Sequence, residues 1–125
     1  MDWFIYTAMI FCHILDDFFL QGMCLSNLKQ KDFWKEHAPD RMYRNDYRMA
    51  LFIHSFSWSF MIMLPIAFAY NFQFGFLHIM VMCMNCIIHY FIDDLKANQK
   101  KINLIFDQTI HLIQITAAAL IFLIK

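Results

Sequence analysis

The chain has 125 residues, 61% of them hydrophobic and only 16% charged, with zero formal net charge. Ordinary soluble domains carry roughly 45–50% apolar and 25% charged residues, so this composition leaves too little polar surface to cover a water-facing bundle. Nor does zero net charge give any global reason to expect a nucleic-acid partner.

Fifteen Phe and ten Met against two Gly and two Pro describe long apolar helices joined by few turns. Crossing a bilayer takes about 20 apolar residues, and four runs qualify. The first covers about residues 3–24 and is interrupted by His13, Asp16, Asp17 and Gln21. It is not a cleavable signal peptide, because it has no basic leading segment and no small-residue cleavage site, and it carries two aspartates. A basic connection follows at about residues 25–48, in which Phe33, Trp34, Tyr43 and Tyr47 alternate with Lys and Arg. That is the composition of an interfacial helix lying in the headgroup layer. An RNA-binding reading of these residues is opposed by Asp32, Glu36, Asp40 and Asp46 among them. The second span covers about 49–70, with a kink expected at Pro65. The third covers about 74–95 and the fourth about 102–124. The expected fold is all-α: a single polytopic domain, a four-transmembrane-helix bundle.

Topology follows from the basic residues. Lys29, Lys31, Lys35, Arg41, Arg44 and Arg48 fall between spans one and two, and Lys96, Lys100 and Lys101 between spans three and four. The second connection carries no charge and the C-terminal side only Lys125. By the positive-inside rule the side with nine of the ten Lys and Arg is cytoplasmic and both termini are outside. Cys83 and Cys86 form a lone CxxC without the second pair that a zinc knuckle needs. The four cysteines read as small apolar filler.

Ionisable residues at membrane depth cost roughly 2.5–3.5 kcal/mol each at a helix centre, and here they are ordered. His13 and Asp17 stand at i and i+4 in the first span, with Gln21 a turn later. His89 and Asp93 repeat that spacing in the third span, followed by Lys96. Asp107 and His111 reverse it in the fourth, with Gln108 alongside, and the second span adds His54. Residues four apart share a helix face. At about 1.5 Å per residue His54, His89, Asp107, His111 and His13 lie roughly 8–16 Å in from the basic side. Four separate segments therefore place His or Asp in one slab.

Three readings compete. The candidate metal ligands His13, Asp17, His54, His89, Asp93, Asp107 and His111 suit a divalent cation, zinc first, with iron and manganese as alternatives. The same groups can form hydrogen-bonded couples that only hold the bundle together, or a proton or ion path. Residues set outside the ligand set are His78 (interfacial or packing, near the outer end of span three), His37 (solvated), and Asp16 and Asp94, which point about 100° from their neighbours on a regular helix and either support the ligands or reach the headgroup boundary.

The segments HILDDFFLQ at 13–21, IHYFIDDLK at 88–96 and FDQTIH at 106–111 resemble the three signature segments of domain-of-unknown-function family 3307, small bacterial and phage integral membrane proteins. The family's pattern falls on His13, Asp17, Phe18, Gln21, on His89, Asp93, Lys96, and on Asp107, Gln108, His111, while His54 and Lys29 match a second-span His and a loop Lys. Asp94 stands where an aromatic is more usual and Asp16 where a small residue is. The resemblance implies a membrane bundle in a bacterial inner membrane, or that of a phage-infected host, and no particular reaction.

The leading functional expectation is a membrane metalloprotein acting as a hydrolase on a membrane-proximal substrate. A bound zinc lowers the pKa of a coordinated water and polarises an acyl or phosphoryl oxygen. An aspartate not used as a ligand, Asp17 or Asp93, would act as general base, and Lys96, with Lys29, would hold an anionic lipid headgroup. The alternatives are a divalent-cation or proton transporter and a non-catalytic membrane interaction protein. A homo-oligomer is compatible with all three.

Overall fold

Asp2 opens the first helix, its carboxylate accepting from the backbone N–H groups of Phe4 and Ile5. The computed structural model describes residues 2–124, so Lys125, the tenth basic residue, lies outside the described residues. Helix α1 (Trp3–Ile14) passes directly into a π-helical stretch, Leu15–Leu20, in which the Gln21 N–H reaches back to the Asp16 carbonyl at 3.0 Å. This first apolar segment stops at Leu20 rather than running to residue 24, because Gly22 adopts φ +58 and turns the chain aside. Two short helices follow, α2 (Gly22–Leu28) and α3 (Lys31–His37), then a single 3₁₀ turn at Arg41–Tyr43. The connection expected to lie at the interface is thus helical.

Helix α4 (Asp46–Ala69) continues through Pro65. A tight turn with Asn71 and Phe72 in the left-handed region leads to α5 (Phe76–Ala97), and Asn103 caps α6 (Leu104–Leu123) by accepting from the Phe106 N–H. Helix α5 begins and ends two residues later than its apolar run suggests. Its last turn survives the charges of Asp93, Asp94 and Lys96 because each has a partner: Lys29, Asn98 and Asp107 respectively. Four segments, Trp3–Leu20, Arg41–Ala69, Phe76–Ala97 and Leu104–Leu123, are long and apolar enough to cross a membrane.

Helix α4 packs against both α1 and α5, and α6 against α5 and α1, which closes the four long helices into a ring. The interior has two halves. Toward the α4–α5 turn it is apolar, with Met9, Ile62, Met63, Ile66, Ile115, Ala118, Ala119 and Phe122 packed together. In that half the Tyr70 hydroxyl donates to the Phe122 carbonyl, and His78 stacks on the Phe122 ring at 4.4 Å, the packing role expected of it. Toward the basic connections the interior is ionic, and Trp58 sits at the seam. The outer surface is covered with Phe4, Phe19, Phe60, Phe76 and Phe91, the arrangement of a lipid-facing bundle. Of the cysteines only Cys86 is buried, while Cys24 and Cys83 face outward, so the reading of all four as interior filler holds for Cys86 alone.

Gly22 is the position where the backbone needs glycine. A Cβ there would meet no atom within 4 Å, so strain alone separates Gly22 from alanine. Gly22→Ala should cost about 1–2 kcal/mol, the left-handed penalty for an L-residue, read as a lower thermal midpoint in detergent. An unchanged midpoint would show that this turn tolerates another conformation.

Candidate metal centre

The ionic half gathers side chains from every long segment. Asp16 and Asp17 come from the π-helical stretch, His54 from α4, His89 and Asp93 from α5, and Asp107 and His111 from α6. Three overlapping triads have ligand atoms within 4.8 Å of one another: Asp17, His54, His89; His89, Asp93, His111; and Asp17, Asp107, His111. His54, His89, Asp93, Asp107 and His111 are each no more than 1% exposed.

The separations have a distinctive size. His111 Nε2 stands 3.4 Å from Asp107 Oδ1 and 3.7 Å from Asp93 Oδ1, and His89 Nε2 is 3.7 Å from the same Asp93 oxygen. His54 Nε2 lies 3.2 Å from Asp17 Oδ1 and 3.5 Å from Asp93 Oδ2. Most of these are too long for hydrogen bonds. Two atoms bound tetrahedrally to one ion at 2.0–2.2 Å are about 3.4 Å apart, however. Among the described residues, His89 Nδ1 and Nε2, Asp93 Oδ1, Asp107 Oδ1 and His111 Nε2 are buried without a hydrogen-bond partner. Buried polar atoms are normally satisfied, so the approach of His89 Nε2, Asp93 Oδ1, His111 Nε2 and Asp107 Oδ1 to one another fits a cation.

The remaining atoms of these residues are held in place. His111 Nδ1 lies 3.3 Å from Gln114 Oε1, and Gln114 is itself anchored on the Asn85 backbone and side-chain carbonyls. An N–H at Nδ1 leaves the Nε2 lone pair toward the carboxylates. Lys96 donates to Asp107 Oδ2 at 2.5 Å and Lys29 to Asp93 Oδ2 at 2.5 Å, each engaging one carboxylate oxygen while the other faces inward. The His89 ring stacks on Trp58 and on His111 at 4.2 Å between centroids in each case, and those two rings lie 5.2 Å apart, so the three form one aromatic cluster.

Charge gives a second test of fit. With neutral imidazoles, the four carboxylates Asp16, Asp17, Asp93 and Asp107 face two ammonium groups, Lys29 and Lys96, a net charge of about −2 in a bundle interior. Leaving such charge uncompensated is costly, and a divalent cation offsets it.

His13, expected as a ligand, is placed beside the centre with both ring nitrogens in use and joins none of the triads. Trp58 Nε1 donates to His13 Nδ1 at 2.8 Å, so the proton is on Nε2, which donates to Gln108 Oε1 at 3.0 Å. The Gln108 amide then donates to Asp17 Oδ2 at 2.7 Å and Asp107 Oδ2 at 3.1 Å. The chain has one polarity throughout and orients two carboxylates as acceptors. Gln108→Ala should therefore weaken divalent-metal affinity about 10–100-fold without abolishing loading, measured by competition with a metal-sensitive dye. Unchanged affinity would show that the carboxylates are positioned without it.

Two residues are more deeply involved than sequence spacing suggests. Asp16 is 1% exposed, accepts from the Ser57 hydroxyl at 2.6 Å, and turns its other oxygen toward His54 Nδ1 at 3.7 Å. On a regular helix Asp16 and Asp17 diverge, and the wider π-helical turn brings both inside. Lys29, expected at the headgroup boundary, is 4% exposed and bonds Gln21 and Asp93. Asn98 holds it there, accepting from the Lys31 N–H and donating to the Lys29 carbonyl. Trp58, at the hub, carried no signal beyond its residue type. Asp94 stays outside the cluster and accepts from Asn98 and Gln99 at the end of α5.

In comparisons with known proteins, the family described as "Protein of unknown function (DUF3307)" matches residues 5–125. Neither the curated proteins nor the solved structures returned a match.

Proposed function

The chain belongs to the DUF3307 family, whose description assigns no activity, and we propose from its own residues that it is a membrane metalloprotein. The divalent cation would be held by His54, His89, Asp93, Asp107 and His111, leaving Asp17 beside it. The observation that carries this reading is the clustering of buried, unpartnered atoms from α5 and α6, His89 Nε2, Asp93 Oδ1, His111 Nε2 and Asp107 Oδ1, with each successive pair 3.4–3.7 Å apart, in a net negative cluster. Asp93 would hold the cation through Oδ1, which faces His89 and His111, while its Oδ2 accepts from Lys29 and lies near His54. Mixed imidazole and carboxylate donors suit zinc, with iron or manganese next.

The finer role we assign is hydrolysis of an ester or phosphoester presented at the basic face, taken as cytoplasmic by the positive-inside rule. When bound, the cation supplies Lewis-acid polarisation of the substrate oxygen. Asp17, held by Gln108 and facing His54, is the carboxylate placed to accept a proton. The Lys96 side chain, 30% exposed, is the part of the cluster that reaches the surface, where it pairs with Asp107.

A transport reading is favoured by one observation: the ligand set is enclosed on all sides, as an occluded carrier site would be. One experiment separates the two. Purified protein loaded with zinc or manganese is assayed for release of product from phosphoester and acyl-ester lipids in mixed micelles, and for cation flux in sealed proteoliposomes. Turnover lost on Asp17→Asn supports the hydrolase. Flux without turnover would replace it with the carrier, and a metal-free folded protein would remove both.

A further inference from the structure

Outside the ionic cluster, the strongest concentration of one charge lies in the connection between the first two spans. Helix α3 and the turn at Arg41–Tyr43 enclose a cleft of about 370 Å³ lined by Lys31, Trp34, Lys35, Asp40, Arg41 and Arg44, with Ala38 and Pro39 at its edge. Four cations face one carboxylate across it.

The cleft is built rather than incidental. The Trp34 indole donates to the Leu28 carbonyl at 2.8 Å and stacks on Tyr43 at 6.3 Å between centroids, which fixes the floor of the cleft on the two elements that form its walls. Lys35 is engaged by Asp32 at 2.7 Å, and that ammonium holds the Asp32 carboxyl below its ordinary range. Lys31, Arg41 and Arg44 enter none of the ion pairs among the described residues. Arg41 and Arg44 are exposed, so their guanidinium groups keep free donors toward the cleft mouth.

We propose that this cleft binds a phosphate group, carried by the headgroup of an anionic phospholipid or by a soluble phosphate. Guanidinium pairs recognise phosphate oxygens through paired N–H donors. The aromatic floor beside them suits the boundary between headgroup and acyl chain. Lys29 and Lys96 are committed to Asp93 and Asp107, so a lipid phosphate at this face would find its partners in the cleft instead. The site does not depend on the metal centre, since it shares no residue with it.

The test uses the full-length protein in nanodiscs of equimolar phosphatidylcholine and phosphatidylglycerol, with retained lipid counted by native mass spectrometry. Wild-type protein should retain phosphatidylglycerol selectively, and Arg41→Gln/Arg44→Gln should lower that retention about tenfold or more. Lys100→Gln/Lys101→Gln, which removes the same charge from the other basic connection, should leave it unchanged. Displacement of the lipid by millimolar inorganic phosphate would assign the site to soluble phosphate. Retention that is unselective in wild type, or lost equally in both double variants, would overturn the proposal. Metal content measured on the same samples reports the metal centre separately, so the failure of either reading is visible without the other.

Discussion

Replacing His89 and His111 together by alanine should yield protein without bound divalent metal, whereas wild type purified without an affinity tag carries one or two ions per chain. These imidazoles stack on each other at 4.2 Å and each sends Nε2 toward the same Asp93 oxygen, so their loss removes the nitrogen donors of one triad and one donor from each of the other two. The remaining donors would be largely carboxylate, which suits harder ions and holds zinc poorly. Two buried rings are also lost from the centre of the bundle, so misfolding has to be separated from loss of ligation. Asp93→Asn serves for that. It preserves volume, still offers Lys29 a carbonyl oxygen, and should cut loading severely while the variant stays monodisperse. Full metal occupancy in folded His89→Ala/His111→Ala and in Asp93→Asn would rule out the assigned ligand set. One ion per chain would match the net charge of the cluster.

Lys29→Met should destabilise the metal-free protein by about 3–5 kcal/mol, the cost of removing one partner from a buried ion pair. The Lys29 ammonium is 2.5 Å from Asp93 and closes the ionic half of the bundle from the basic side, and methionine fills much the same space without the charge. The loss is therefore electrostatic rather than a cavity effect. Asp93→Asn in the Lys29→Met background should restore much of the stability, because the uncompensated carboxylate is gone. The reading is the midpoint of unfolding in detergent with a chelator present, for both single variants and the double. Additive effects of the two substitutions would show that the pair is not coupled and that Lys29 acts through packing alone.

The bundle was readable from the sequence because long apolar runs with few breakers admit little else, and because the i, i+4 pairs His89–Asp93 and Asp107–His111 keep their spacing on regular helices. The boundary of the first span was not readable. An apolar run through Cys24 does not reveal that Gly22 takes a left-handed conformation. The π-helical turn was equally hidden, since i+5 hydrogen bonding leaves no mark in hydrophobic periodicity, and with it went the inward placement of Asp16. His13 looked like a ligand because it repeats the spacing of His89. What distinguishes it is a tertiary neighbour, the Trp58 indole, which occupies its Nδ1. Lys29 reads as surface for a similar reason: basic residues in a connection are usually solvated, and only its bonds to Asp93 and Asn98 near the end of α5 hold this one inside.

The division of the interior into an oily half and an ionic half bears on how the chain is made. The first segment to emerge carries Asp16 and Asp17, yet their partners are Ser57 and His54 in the second long helix and Gln108 in the last. A lone helix holding two carboxylates enters a bilayer at a cost of roughly 2.5–3.5 kcal/mol for each that stays ionised near its centre. Stable membrane residence of the first helix is thus tied to synthesis of the fourth, some eighty residues later. Nascent chains that end before Gln108 should hold the first helix in the membrane less stably than chains that include it.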